Sequence, residues 1–232
     1  MDIRVIGSGS AGNCYLIDDG KTALLLDAGI AFSEIQKAMN FDTSHIRGCL
    51  ITHRHGDHAK AGKDMAKRGI KVYANVNTAV AVGKGAKVLE PLTSYGIDTM
   101  TILPFEVVHD VPCFGYRIDS LVTGERLVYI TDAAGFRFSI KGTTHLLVEC
   151  NHSHEKLIER VRTNDMNPVL GNRVAKTHMS FETLTRYLSD GRIQTDKLKK
   201  VMLIHLSDGN SDAGMFRESI QELLPEAEVT VW

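Results

Sequence analysis

Five apolar, strand-like runs in this chain each stop on an aspartate or a histidine. They are Leu24-Leu25-Leu26 before Asp27, Leu50-Ile51-Thr52 before His53, Val107-Val108 before His109, Val128-Tyr129-Ile130-Thr131 before Asp132, and Met202-Leu203-Ile204 before His205. A buried strand delivers its terminal side chain to the edge of its sheet, and strands of common direction bring such residues to one rim. One coincidence of this kind carries no weight. Five of them in 232 residues point to a site built at a sheet edge from imidazoles and carboxylates.

The rest of the chain supplies the frame. Strands are expected at Ile3–Ile6, Cys14–Ile17, Ala23–Leu26, Cys49–Ile51, Val72–Ala74, Met100–Val107, Phe114–Ile118, Arg126–Ile130, Leu146–Glu149, Val201–Ile204 and Val229–Val231. Helices are expected at Ser33–Met39, Lys63–Arg68, Thr78–Val82, Glu155–Thr163, Phe181–Ser189 and Ala213–Leu224, the last three preceded by the capping residues Ser153, Ser180 and Asp212. Early strands follow one another as in antiparallel meanders, and helices accumulate later. That order favours two sheets with helices outside over a strictly alternating parallel sheet. No solenoid repeat, low-complexity tract or Pro-rich linker interrupts the chain, so residues 1–232 are read as a single domain.

Composition excludes several classes. At 43% hydrophobic and 24% charged residues, the chain is neither disordered nor membrane-embedded, and no apolar run approaches bilayer length. Met1-Asp2-Ile3-Arg4 leads directly into strand-like sequence, unlike a secretory signal, and Cys14, Cys49, Cys113 and Cys150 are scattered through apolar stretches. A cytoplasmic protein with reduced, buried thiols is the expectation. The formal net charge of -1 advertises no global basic footprint for nucleic acid.

The densest chemistry is His53-Arg54-His55-Gly56-Asp57-His58. Four ligating side chains within six residues cannot all reach one ion without severe backbone strain. Two adjacent ions relieve this, His53 and His55 serving one, Asp57 and His58 the other, with His109, His205 and a bridging Asp132 arriving from distant strands. Imidazole and carboxylate without thiolate suit zinc first, with manganese or iron next.

His-x-His-x-Asp-His after an apolar strand and a threonine resembles the signature of the metallo-β-lactamase superfamily. The resemblance runs from Asp27 to His205 and implies an α/β (α+β) fold: an αββα four-layer sandwich of two mixed sheets with helices on the outer faces. It also implies that His53, His55 and His109 hold the first metal and Asp57, His58 and His205 the second. Asp132 would bridge the two, and Asp27 would hydrogen-bond within the site loop without ligating. Gly7-Ser8-Gly9-Ser10-Ala11-Gly12-Asn13, Glu149-Cys150-Asn151-His152, Thr177-His178-Met179-Ser180 and His205-Leu206-Ser207 together are similar to the YycJ/WalJ-type branch, which is associated with nuclease activity on DNA. This chain departs from that branch at Ser153, at Thr177 and Met179, and in the Ala133-Ala134-Gly135 that follows Asp132.

Secondary site residues follow. Gly7-x-Gly9-x-x-Gly12 copies a dinucleotide-binding pattern but leads into a strand, so it reads as a tight turn whose amides, with Ser10 and Asn13, are available to a substrate phosphate. His178, two residues before the cap Ser180, is the candidate to protonate a leaving oxygen or to clamp the phosphate. Asn151, His152 and Ser207 are further substrate-binding candidates. Seven Lys or Arg against three Asp or Glu between Arg173 and Lys200 give a local positive excess near His178.

The expectation is therefore a binuclear hydrolase cleaving phosphodiesters, with DNA as the favoured substrate and Asp57 and His178 as catalytic residues. A thioester, lactone or cyclic-nucleotide hydrolase is the enzymatic alternative. A metal-stabilised binding or regulatory module is the non-enzymatic one.

Overall fold

The computed structural model describes all 232 residues. In chain order the elements are β1 (Asp2–Gly7), β2 (Cys14–Asp18), β3 (Ala23–Leu26), α1 (Phe32–Ala38), β4 (Ile46–Leu50), α2 (Gly56–Ala59), α3 (Gly62–Lys67), β5 (Val72–Ala74), α4 (Val76–Val82), β6 (Ala86–Val88), β7 (Tyr95–Ile97) and β8 (Met100–Val108). They continue with β9 (Cys113–Ser120), β10 (Arg126–Ile130), β11 (Gly135–Phe136), β12 (His145–Glu149), α5 (His154–Arg162), α6 (Pro168–Thr177), α7 (Phe181–Ser189), β13 (Lys200–Ile204), α8 (Ala213–Leu223) and β14 (Glu228–Val231). Two compact units make up the chain: Met1–Phe105 with Val111–Glu125, and Glu106–Asp110 with Arg126–Trp232.

In the first unit, β1 to β6 form one six-stranded sheet in sequence order. Only β1-β2-β3 is the antiparallel meander expected from the sequence; β3 to β6 run parallel. The reason lies in the connections. A parallel pair needs a crossover, and α1, the α2–α3 segment and α4 provide one between each successive pair. Leu25, Cys49 and Val72 from three neighbouring strands share a core with Ile35 of α1 and Met65 of α3, all at 0% exposure. Each such aliphatic side chain contributes roughly 1.5–3 kcal/mol of burial. Parallel register matters for the site, because Leu26 pairs with Leu50 and the residues that follow each strand emerge at one edge.

The remaining strands belong to a second, eight-stranded sheet, so two mixed sheets with helices give the fold class inferred above. Within the second unit, β10, β12, β13 and β14 are parallel, with Ile130 opposite Val148 and Glu149 opposite Ile204. β11 pairs antiparallel with the end of β8 through Gly135 and Val108. The predicted caps are in place: Ser153, Ser180 and Asp212 accept hydrogen bonds from the amides of Lys156, Thr183 and Met215. Three short strands (β6, β7, β11), the single turn α2 and the whole of α6 were not anticipated. All four cysteines are free and buried. No helix is long and apolar enough to cross a membrane.

Candidate metal centre

In the first unit the candidate ligands lie in the loop after β4. His53 lies three residues past that strand, and α2, begun by His55, carries Asp57 and His58. Asp27, immediately after β3, organises them. Its Oδ1 accepts from the Thr52 amide at 2.8 Å and the Thr52 hydroxyl at 3.0 Å, and its Oδ2 lies 2.7 Å from His58 Nδ1. A carboxylate on Nδ1 fixes the imidazole ring and leaves Nε2 as the ligating atom. His53 Nδ1 lies 3.1 Å from the Thr52 hydroxyl, and its Nε2 converges with His55 Nδ1 at 3.0 Å. Two nitrogens at 2.0–2.1 Å from one tetrahedral ion stand about 3.3 Å apart, so this pair is close to ligating geometry.

Backbone contacts lock this loop to the glycine turn. The amide of Asn13 donates to the Asp57 carbonyl, that of Gly29 to the Asn13 carbonyl and that of Ala28 to the His58 carbonyl, each at 2.8 Å. The layers are so close that a Cβ on Gly12 would meet the Gly29 carbonyl oxygen at 2.5 Å, and a Cβ on Gly29 the Asp57 carbonyl oxygen at 1.6 Å. Gly12 of the opening motif and Gly29 therefore serve close backbone approach. Of the turn's amides, those of Gly9, Gly12 and Asn13 are engaged within the protein, by Asn13 Oδ1, the Gly9 carbonyl and the Asp57 carbonyl, so these three are not the ones to meet a phosphate.

The second unit brings its residues together because β10, β12 and β13 are parallel and end at one edge. Asp132, Glu149, His178 and His205 present ligand atoms that all lie within 4.8 Å of one another. Asp132 turns Oδ1 to His205 Nε2 at 3.3 Å and Oδ2 to His109 Nε2 at 3.9 Å. The opposite nitrogens are engaged elsewhere: His109 Nδ1 with the Thr177 carbonyl at 3.0 Å, and His205 Nδ1 with Glu149 Oε1 at 3.2 Å. Chemistry and orientation fit divalent ions: every donor is imidazole or carboxylate, and in His58, His109 and His205 Nδ1 is held by an oxygen acceptor.

Three of the strand-end residues have left-handed backbones: Asp27 at φ 56°, Asp132 at φ 48° and His205 at φ 55°. Each costs about 1–2 kcal/mol relative to ordinary backbone. The turn re-aims a side chain at the end of a strand, and such strain concentrates where function over-determines the conformation.

Sequence reasoning missed the role of Glu149. The last residue of β12 is 0% exposed. Its Oε1 also accepts from His178 Nδ1 at 2.6 Å, and its Oε2 accepts from the amides of Ala133 at 2.9 Å and Met179 at 3.0 Å. Burial opposes ionisation, but His178 and His205 more than offset it, and the carboxyl is held well below the usual range. In return Glu149 outweighs the burial of His178 and raises it above the ordinary imidazole value. The one available signal was an acidic residue ending an all-apolar strand.

The expected substrate residues divide sharply. Ser10 is exposed and Ser207 half-buried, whereas Asn13 and His152 are 0% exposed and Asn151 6%. Asn13 is turned inward: its Nδ2 lies 3.1 Å from His58 Nε2, and its Oδ1 accepts from the Gly9 amide and the Tyr15 hydroxyl. Asn151 donates from Nδ2 to the His205 carbonyl at 3.0 Å. These three have almost no surface to offer a substrate, which corrects their assignment. His152 is buried with neither ring nitrogen hydrogen-bonded, and burial pushes it down to about 4 from 6.5. A histidine depressed in this way adds stability that is complete above its unfolded value and lost as pH falls from 6.5 toward 4. His152→Leu is expected to keep wild-type stability at pH 7 and to recover about 1–2 kcal/mol relative to wild type at pH 5. Denaturant titrations at the two pH values measure this; equal losses in both proteins on acidification would contradict it.

A fold of two mixed sheets with His/Asp clusters at strand ends defines a class, that of metal-dependent hydrolases of metallo-β-lactamase type. Residues 7–128 match the model of the metallo-beta-lactamase superfamily, and the chain belongs to that family. It is 27% identical to Exodeoxyribonuclease YycJ of Bacillus anthracis over 97% of this chain and 90% of that protein. It is 26% identical to Exodeoxyribonuclease WalJ of Streptococcus pneumoniae, covering 98% and 89%. Among solved structures, the metallo-beta-lactamase fold protein YhfI from Bacillus subtilis superposes with a TM-score of 0.71 at 17% identity, covering 99% and 95%.

Proposed function

We propose that this chain is a phosphodiesterase that degrades nucleic acid, DNA foremost and from strand ends, with two divalent cations as cofactors. His53, His55 and His109 would hold one cation and Asp57, His58 and His205 the other, with Asp132 shared; zinc is the first candidate, manganese or iron the next. One observation carries the reading: the two carboxylate oxygens of Asp132 face separate imidazoles, those of His205 and His109. A carboxylate that bridges two ions needs this arrangement. The choice of substrate draws on two relatives named exodeoxyribonucleases, similar over nearly the whole chain. A cytoplasmic setting fits the four free thiols.

When bound, the cations supply Lewis-acid neutralisation of the phosphoryl oxygens and lower the pKa of a water. The chain's own residues do the rest. Asp57 orients the attacking water. Asp27 and Glu149 hold His58 and His205 in the tautomer that frees Nε2. His178 keeps Nδ1 on Glu149 and gives its Nε2 proton to the leaving oxygen as the P–O bond breaks.

The test is degradation of end-labelled duplex DNA, single-stranded DNA and RNA by chelator-stripped protein reloaded with zinc or manganese. Metal-dependent loss of label that disappears in Asp57→Ala is the expected result. Turnover of a small phosphodiester or a thioester, with no polynucleotide cleaved under either metal, would overturn the nucleic-acid substrate.

A further inference from the structure

Beside the ends of β11 and α7, within the second unit, Arg137, Ser139, Asp190, Gly191 and Arg192 line an open cleft of about 320 Å³. We propose that this cleft is a subsite for a backbone phosphate of the polynucleotide strand, away from the bond that is cut. The inference rests on the nuclease reading and extends it to how the strand is held.

Arg192 is built into place. Its Nη1 donates to the Phe136 carbonyl at 3.1 Å, its amide donates to Asp190 Oδ1 at 2.9 Å, and its carbonyl accepts from the Ile140 amide at 2.9 Å. Its guanidinium also lies 5.1 Å from the centre of the Tyr187 ring. A cation fixed by main-chain and ring contacts, with no carboxylate among its side-chain partners, keeps donors for an outside anion. Arg137 is exposed, and no hydrogen bond or ion pair engages it. Asp190 is the one acidic residue of the cleft, and one of its oxygens is occupied by the Arg192 amide. Two guanidinium groups beside the Ser139 hydroxyl form a donor set suited to the oxygens of a phosphodiester, which Arg recognises in a planar, two-pronged fashion.

Position ties the cleft to the proposed chemistry. Arg137 follows β11, whose Gly135 pairs with Val108, the residue before His109. Five residues separate Arg137 from Asp132, so their Cα atoms lie no more than about 18 Å apart. That distance is within roughly five nucleotide steps of a duplex strand at about 3.4 Å each. Contacts of this kind set strand register without reading sequence.

The experiment compares wild type, Arg137→Ala and Arg137→Lys on a single-stranded oligodeoxynucleotide and on bis(p-nitrophenyl) phosphate, across a salt series. Arg137→Ala is expected to lower kcat/KM on the oligonucleotide about five- to tenfold, through KM, and to leave the small diester unchanged. The slope of log(1/KM) against log salt should become shallower by about 0.7, the loss of one single-strand phosphate contact, and Arg137→Lys should restore it. An Arg137→Ala enzyme matching wild type on the oligonucleotide overturns the subsite, as does an equal fall on both substrates. A third overturning result is orthophosphate inhibition of the small diester that depends on Arg137 while oligonucleotide kinetics do not; the cleft would then be a free-anion site. Failure of wild type to cleave any polynucleotide removes the nuclease reading itself, a result distinct from all three.

Discussion

Gly29→Ala is expected to yield a protein without measurable hydrolase activity, depleted of metal and destabilised by more than about 4 kcal/mol. The added Cβ would stand 1.6 Å from the Asp57 carbonyl oxygen and 2.7 Å from the Asn13 amide nitrogen. Neither neighbour is a flexible side chain. Both are backbone held by further backbone: the Asn13 amide donates to the Asp57 carbonyl, and the Ala61 amide donates to the Ala28 carbonyl, each at 2.8 Å. Relieving the clash requires a shift of well over 1 Å between the segment after Asp27 and the segment carrying Asp57 and His58. That shift strips hydrogen bonds from buried groups and separates Asp27 from the imidazole it orients. A misplacement of about 1 Å in reacting groups alone costs on the order of a hundredfold in rate. Gly20→Ala is the control. Gly20, unlike Gly29, has a positive φ, 89°, but nothing lies within 4 Å of its Cβ position. It should lose only about 1 kcal/mol and keep its metals. Metal content and denaturant midpoints of the two variants decide the matter, and a metal-replete, active Gly29→Ala enzyme would refute the close-approach argument.

The residues at the strand ends were legible because two signals coincide there: an apolar run that must be buried and a polar residue that ends it. Asp27, His109 and His205 follow their strands directly. His53 stands three residues out, and only the density of His53 to His58 disclosed that loop. Other features were hidden for definite physical reasons. Glu149 ends an apolar strand, but a glutamate there is indistinguishable in sequence from one that turns out to water. Its four partners come from distant segments, at Ala133 beside Asp132, at His178 and Met179, and at His205. Helix α6 carries Pro168 at its start and Gly171 inside, residues that read as loop; yet Asn167 caps the Val169 amide, and proline at the first helical position is favoured there. Consecutive strands were read as meanders, although a helix correctly expected between β3 and β4 already implied a parallel crossover. Asn13 illustrates a further limit. A polar residue after a glycine turn suggests a ligand-facing group, and only the packing of three backbone layers shows that it faces inward.

Glu149→Gln is the change expected to separate the two halves of the proposed centre. The carboxylate accepts four hydrogen bonds, His178 Nδ1 and His205 Nδ1 on Oε1, and the amides of Ala133 and Met179 on Oε2. An amide side chain offers one accepting oxygen and one NH2, so one pair of donors must face a donor. With its oxygen on the backbone amides, NH2 points at the two histidines. His205 can then accept only by moving its proton to Nε2, the atom proposed to ligate. In the reverse orientation the clash falls on the amides of Ala133 and Met179, next to Asp132 and His178. Replacing a buried, fully bonded carboxylate in this way should cost about 3–5 kcal/mol of stability. Loss of the group that orients a metal-ligating histidine should weaken metal binding about 10- to 100-fold. The loss should also be selective. His53 has its own support in the Thr52 hydroxyl, independent of Glu149, and His55 converges on His53 Nε2, so the cation they are proposed to share with His109 remains while the one assigned to His205 is released. Competition against a chromophoric chelator should therefore show stoichiometry falling from two equivalents toward one. Two equivalents retained at unchanged affinity would mean that Glu149 fills space without orienting His205. Parallel loss of both would mean that the two sets of ligands bind as one.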